Sequence, residues 1–308
     1  MSRSRGTAVA IALLGAALAA AGCGLGPGEG VGEVSLTVTR DYGAERLIFT
    51  EGEPVSESDT VMRVLEGEAE ISTRYGGGFV QSIDGLEAGQ ADGRSWDWLF
   101  YVNGIESTVG AADYPLHGGE AIWWDYRDWS AALRVPAVVG SWPQPLLGGY
   151  AGEEHPVAVE CRGGGAACGT VRARLEGAGV SVSPAGTGDA IRVLVGPWAQ
   201  LRGDRAAAQL EDGPKASGVF AELIPLGGRF RLVGLDEAGE VAHTFGAGAG
   251  LVAATRRFEA PPVWVVSGTT RAGVRAAAEL LDAADLRDRY AVAGQNGRVT
   301  PLPIPIEP

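Results

Sequence analysis

Two short stretches constrain the fold of this chain more tightly than the rest. "SWDWLFYVNGIES", from Ser95, and "GGEAIWWDYRDW", from Gly118, carry Trp96, Trp98, Trp123, Trp124 and Trp129, five of the eight tryptophans. Both read as strands, and alternate residues of a strand share a face. Trp96, Trp98, Phe100 and Val102 then look one way, as do Ile122, Trp124 and Tyr126, and these two apolar sets are expected to form a core. Asn103-Gly104 between apolar runs is the strongest short-range hairpin signal. Tyr101, Trp123 and Trp129 are left on faces shared with Asp125 and Arg127. These three are the candidates for stacking on a ligand.

The surrounding hundred residues follow the same pattern of short strands. "EVSLTVTRD" alternates apolar and polar residues as a strand does. "SESDTVMRVLEGEAEI" offers Ser56, Ser58 or Asp59 as the cap of a helix carrying Val61, Val64 and Leu65. "TRYGGGFVQSIDGL" reads as a glycine-rich bend into a strand. One helix over a small mixed sheet is the expected architecture for residues 31–130.

Residues 131–150 contain three prolines and several glycines and are expected to be a linker. Beyond them strands alternate with helices: "HPVAVEC" before "GTVRARLEGA", "IRVLVG" before "PWAQLRGDRAAAQLEDG", "PVWVVSG" before "TTRAGVRAAAELLDAADL". Three such units predict an α/β domain over 151–295. "GVFAELIPLGGRFRLVGLDEAGEVAHTF" interrupts them with hairpins turning at Gly227-Gly228 and at Glu237 to Gly239, which predicts a mixed sheet. Residues 296–308 read as a proline-rich extended tail.

The N-terminus reads as an address. Arg3 and Arg5 precede an apolar run from Gly6 to Gly22, 17 residues and so below the ~20 of a spanning helix, which predicts a signal peptide over 1–22. Small residues lead into Cys23 in "AAGC", which resembles the lipobox of bacterial lipoproteins, although Ala20 stands where leucine is usual. The resemblance implies acylation of Cys23, anchoring to the cell membrane and an extracytoplasmic location, with 23–30 as a tether. Removing the leader takes away two arginines and no acid, so the mature chain is more acidic than the formal −13 of the full sequence. Such a chain repels phosphate backbones, and nucleic acid is not an expected partner. Outside the cytoplasm Cys161 and Cys168 are expected to form a disulfide, because no C-x-x-C spacing or nearby histidine favours a metal.

"TVMRVLE", "GGGFVQSIDGL", "WLFYVNG" and "GAADYPLHGGEAIWWDY" follow one another as in the transcobalamin-like C-terminal domain family, which residues 31–130 resemble. Glu120 stands where that family usually has aspartate, and only a changed turn is expected from it. The resemblance implies a β-grasp-like α+β module facing a corrinoid or another flat ligand. It places Tyr75, Gly77 and Phe79, in the family's glycine-aromatic loop, beside that ligand. The large helical barrel that accompanies this domain in animal vitamin B12 carriers has no counterpart here.

Catalysis finds little support. His117, His155 and His243 are far apart, and no H-E-x-x-H or G-x-S-x-G occurs. "GAGAGLVAA" is followed by strand-like residues where a dinucleotide loop needs a helix. Thr269 or Thr270 is expected to cap a helix, and no calcium-loop pattern surrounds Asp282, Asp285 and Asp288. The sequence therefore predicts a non-catalytic envelope lipoprotein that needs no cofactor or metal, binds a small ligand and serves uptake beside a transporter component. An envelope docking protein and an extracellular hydrolase with its site in the α/β domain are the alternatives.

Overall fold

The first two strands, β1 (Gly30–Arg40) and β2 (Glu45–Ser56), form a long antiparallel hairpin. This computed structural model describes residues 28–91, 93–184 and 188–306, so the expected leader and Cys23 lie outside the described residues. Helix α1 (Val61–Glu68) follows, capped by Thr60, whose hydroxyl accepts from Arg63 N. The cap is thus not Ser56, Ser58 or Asp59. The Asp59 carboxylate is engaged by the Ser56 amide and hydroxyl at 2.8 and 2.7 Å, leaving Thr60 as the last extended residue before the helix.

Strands β3 (Ile71–Arg74), β4 (Phe79–Ile83) and β5 (Leu86–Glu87) make a small side sheet. Strands β6 (Gly89–Ala91), β7 (Arg94–Val102), β8 (Ile105–Glu106) and β9 (Ala121–Asp128) complete the main one. Its order is β2-β1-β9-β7-β6, with β8 hydrogen-bonded to β7. β1 and β9 run parallel at its centre and every other pairing is antiparallel, a β-grasp-like arrangement. Asn103 and Gly104 both have positive φ, as the tight turn between β7 and β8 requires. Trp98, Val102, Ile122 and Trp124 are buried beneath Val61, Met62 and Leu65 of the helix, as the alternation predicts. Each fully buried aliphatic there contributes about 1.5–3 kcal/mol.

The second half is an α/β layer. Its elements are β10 (Val157–Cys161), α2 (Ala166–Gly177), β11 (Val182–Ser183), β12 (Ile191–Pro197), α3 (Trp198–Leu201), α4 (Pro214–Ser217), β13 (Ala221–Leu226), β14 (Arg229–Leu235) and β15 (Val241–Thr244). Then come β16 (Gly250–Thr255), β17 (Val263–Gly268), α5 (Arg271–Glu279), α6 (Ala283–Leu286), β18 (Ala291–Gln295) and β19 (Arg298–Leu302). The sheet order is β11-β10-β12-β17-β16-β18-β19. The first four are parallel and the last three antiparallel, so the sheet is mixed as expected. α2 and α5 cover one face, where Val193, Val195, Trp264 and Val266 are buried. Thr270 caps α5, accepting from Gly273 N. The Cys161–Cys168 disulfide is present and joins the end of β10 to the first turn of α2, with Cα atoms 6.0 Å apart.

Three expectations need correction. The segment after Trp198 is not one helix: Asp204 accepts from the amides of Ala206 and Ala207 and pairs with Arg192, which breaks it into α3 and a 3-10 turn at Ala207–Glu211. The tail is not structureless, because β18 turns at Asn296-Gly297 into β19. Asn-Gly was the legible signal there. Finally, residues 131–150 are not an exposed connector: Ala132, Val135, Val138 and Val139 are fully buried. They form a strap that pairs with both halves, Val138 N donating to Gly104 O at 2.9 Å and Val139 N to Tyr290 O at 3.2 Å.

The outer face of the first sheet packs on the second half. Tyr42, Tyr101 and Trp123 share one core with Phe220, Leu194, Trp198 and Tyr290. Tyr42 meets Phe220 edge-on at 4.9 Å, and Trp123 meets Tyr290 at 5.3 Å. Polar groups pin this contact. Tyr290 donates to Asp125 Oδ2 at 2.8 Å, Thr39 to Asp125 Oδ1 at 2.5 Å, and the Trp123 indole to Thr39 at 2.8 Å. Gly43, at φ +79°, abuts Asp288 O so closely that a Cβ would collide with it. Arg46 pairs with Asp288, and Arg94 bridges Asp128 at 2.7 Å and Glu237 at 3.0 Å.

Candidate cleft between the two halves

Burial of Asp125 pushes its carboxyl up to about 6, against the pull of Thr39, Tyr290 and the Gly43 amide. Burial also raises Tyr101, to about 12, and raises Tyr290. Arg127, fully buried on the same face, donates to Ala132 O at 2.8 Å and to Leu133 O at 3.4 Å. A buried guanidinium that donates to backbone carbonyls fixes the path of the chain that supplies them, although Nε of Arg127 itself is buried without a hydrogen-bond partner. Arg127 thereby sets the start of the strap.

That strap forms the floor of a cleft of about 700 Å³. Glu106, the last residue of β8, Thr108, just after it, and Trp129, just after β9, line it from the first half. Leu133, Arg134 and Pro136 line it from the strap, and Lys215, Arg256, Arg257, Phe258 and Glu259 from the second half. A smaller pocket of about 240 Å³ adjoins it, lined by Val102, Ile105, Val109, Tyr114, Tyr150 and His117, and shares Glu106 and Arg256 with it. Arg134 holds Glu106 at 3.3 Å, and burial raises the Glu106 carboxyl against that pull. Beside the pocket, Glu120 is buried and accepts from the Tyr114 hydroxyl at 3.1 Å and from the His117 amide at 2.9 Å. It therefore does more than alter a turn.

The structure separates the predicted site residues. Trp129 lines the cleft, half-buried, beside Asp97, whose carboxyl burial raises and the Trp129 side chain pulls back. Tyr101 and Trp123, 0% and 3% exposed, pack against each other at a tilt and meet Tyr290 edge-on. Their expected role as a ligand surface is corrected, because the second half already covers that face. Tyr75 is 86% exposed with φ +54°, and its ring lies 6.2 Å from that of half-buried Phe79. Gly77 has φ +98° and open space around it, which a turn explains without a ligand. None of Tyr75, Gly77 and Phe79 lines either pocket; Gly78 O of this loop lies beside Gly110, the neighbour of Val109 in the smaller one.

The sequence reading missed Leu133, Lys215, Arg257 and Phe258. "RRFE" at 256–259 and the single lysine of the chain were visible signals, but nothing local joins them to Trp129. Among the described residues no group of three or more His, Cys, Asp or Glu side chains could hold a metal ion. No helix among them is long and apolar enough to cross a membrane.

Fold and site together define a two-part protein in which a β-grasp-like unit and an α/β layer share one core and enclose a cleft. Residues 58–128, from just before α1 to the end of β9, match the family model described as a domain of unknown function, DUF4430. No curated protein matches the chain. Among solved structures, one described as a "putative metal binding protein" from Ruminococcus gnavus is similar at 18% identity. The match covers 32% of this chain and 97% of that one, with a TM-score of 0.26.

Proposed function

We propose that this chain is a non-catalytic small-ligand-binding protein of the cell envelope, anchored through an acylated Cys23, and that its ligand sits in the cleft between the two halves. One observation carries the reading: the cleft presents half-buried Trp129 from one half and Phe258, 80% exposed, from the other. A large aromatic left in water costs free energy that a flat ligand would recover, and aromatic anchors dominate binding energy elsewhere. The resemblance of residues 31–130 to the transcobalamin-like C-terminal family makes a corrinoid the first ligand to titrate, in a role serving uptake.

Calorimetric titration of the mature chain with cobalamin tests this. Binding should weaken by about 1–3 kcal/mol in Trp129→Ala, with the melting temperature unchanged. No heat with cobalamin removes that ligand. Full-strength binding by Trp129→Ala removes the cleft.

A further inference from the structure

Charge is unevenly distributed over this molecule. The chain has 38 acidic and 25 basic side chains, yet Arg134, Lys215, Arg256 and Arg257 face the cleft against only Glu106 and Glu259. Two of the four are engaged. Arg134 holds Glu106, and Arg256 donates to Ala260 O at 2.7 Å and Glu259 O at 3.0 Å while lying 3.6 Å from the Glu259 carboxylate. Lys215 and Arg257 have no ion-pair partner among the described residues. In an acidic protein, two unpaired cations at one cleft form a local attractor for anions.

The neighbouring loop is built to present an aromatic ring. Arg256 ties down the carbonyls of the 257–260 turn and lies 5.2 Å over the Tyr150 ring, so the turn is held from beneath. Phe258 sits within it at φ +52°, a left-handed backbone that costs a bulky residue about 1–2 kcal/mol. That conformation turns the ring outward, with the Arg257 guanidinium 5.0 Å from its centre. Apolar Leu133, 61% exposed, and Trp129 complete the lining.

We infer that the cleft takes a flat organic anion, with its oxyanion, a carboxylate or phosphate, at Lys215 and Arg257 and its ring against Phe258 and Trp129. The inference rests on the cleft reading above and adds the charge of the ligand. Cation-bearing aromatic sites give the oxyanion charge-assisted hydrogen bonds and the ring a stacking face, so an anionic ring should bind more tightly than the same ring without its charge.

The test compares two probes on the full mature chain: 8-anilinonaphthalene-1-sulfonate and neutral N-phenyl-1-naphthylamine, which has the same rings without the anion. Lys215→Glu/Arg257→Glu should weaken the sulfonate by about tenfold or more and leave the neutral probe unchanged. Phe258→Ala should weaken both. Added salt should loosen the sulfonate from the wild type and, by screening the new carboxylates, should not loosen it from the double variant. Displacement by 1-naphthoate or 1-naphthyl phosphate, and not by 1-naphthamide, supports the inference and tells which oxyanion is preferred. Equal effects of the charge reversal on both probes overturn the anion and leave the cleft standing. Unchanged binding of both probes by Phe258→Ala overturns the cleft itself. Where the double reversal lowers the melting temperature, Lys215→Gln/Arg257→Gln gives the same comparison.

Discussion

Replacing Trp123 by alanine should unfold this protein sooner rather than empty a binding site. The indole is 3% exposed, packs against Tyr101 and Tyr290, and donates to Thr39. Removing a buried tryptophan costs about 3–5 kcal/mol, depending on how far the surroundings collapse. Here they cannot collapse far, because the backbones of Gly43 and Gly140 border the ring and Tyr290 is fixed by Asp125. The loss should therefore fall in the upper half of that range. At roughly 2–4 °C per kcal/mol for a chain of this size, the melting temperature should drop by about 8–20 °C. Scanning calorimetry of the mature wild type, Trp123→Ala and Trp129→Ala measures it, with Trp129→Ala close to wild type. A Trp123→Ala protein melting within about 2 °C of wild type would refute the shared core.

Asp125 supplies a pH signature. Its carboxyl is raised in the fold from 3.8 to about 6, so the stability it lends is full below about pH 4 and lost as pH rises through 6, a fall of about 3 kcal/mol. Asp125→Asn should flatten the pH dependence of denaturant midpoints between pH 4 and 7 relative to wild type; parallel curves would disprove the assignment. Exported protein alkylated without reductant should show no label at Cys161 or Cys168 by intact mass. Replacing both by serine should cost about 2 kcal/mol, and two labelled thiols in the wild type would remove the bridge from the mature protein. Cys23→Ala should move the protein out of the membrane fraction, and wild type found wholly in the medium would end the lipoprotein reading.

Sequence periodicity assigned faces correctly wherever the geometry is local. Alternation along β7 and β9 put Trp98 and Trp124 in the first core, and Asn103-Gly104 marked the turn. The same reasoning read strand and helix in alternation after residue 150, because apolar runs bounded by glycines specify buried strands with little help from distant residues. It failed on the strap. Prolines and glycines at 136–149 resemble a linker locally, while their burial depends on Tyr290 and on Arg127 reaching the carbonyls of Ala132 and Leu133.

What the sequence determined alone was therefore the direction in which each aromatic points, since a strand's period of two is a property of its own backbone. What covers that direction was decided by the tertiary structure. Trp123 and Trp129 looked alike as leftover aromatics, yet one is sealed by a tyrosine at position 290 and the other opens onto a cleft whose far wall begins at Lys215. The hydrophobic effect rewards removal from water without specifying a partner, so burial is fixed only when elements remote in sequence dock.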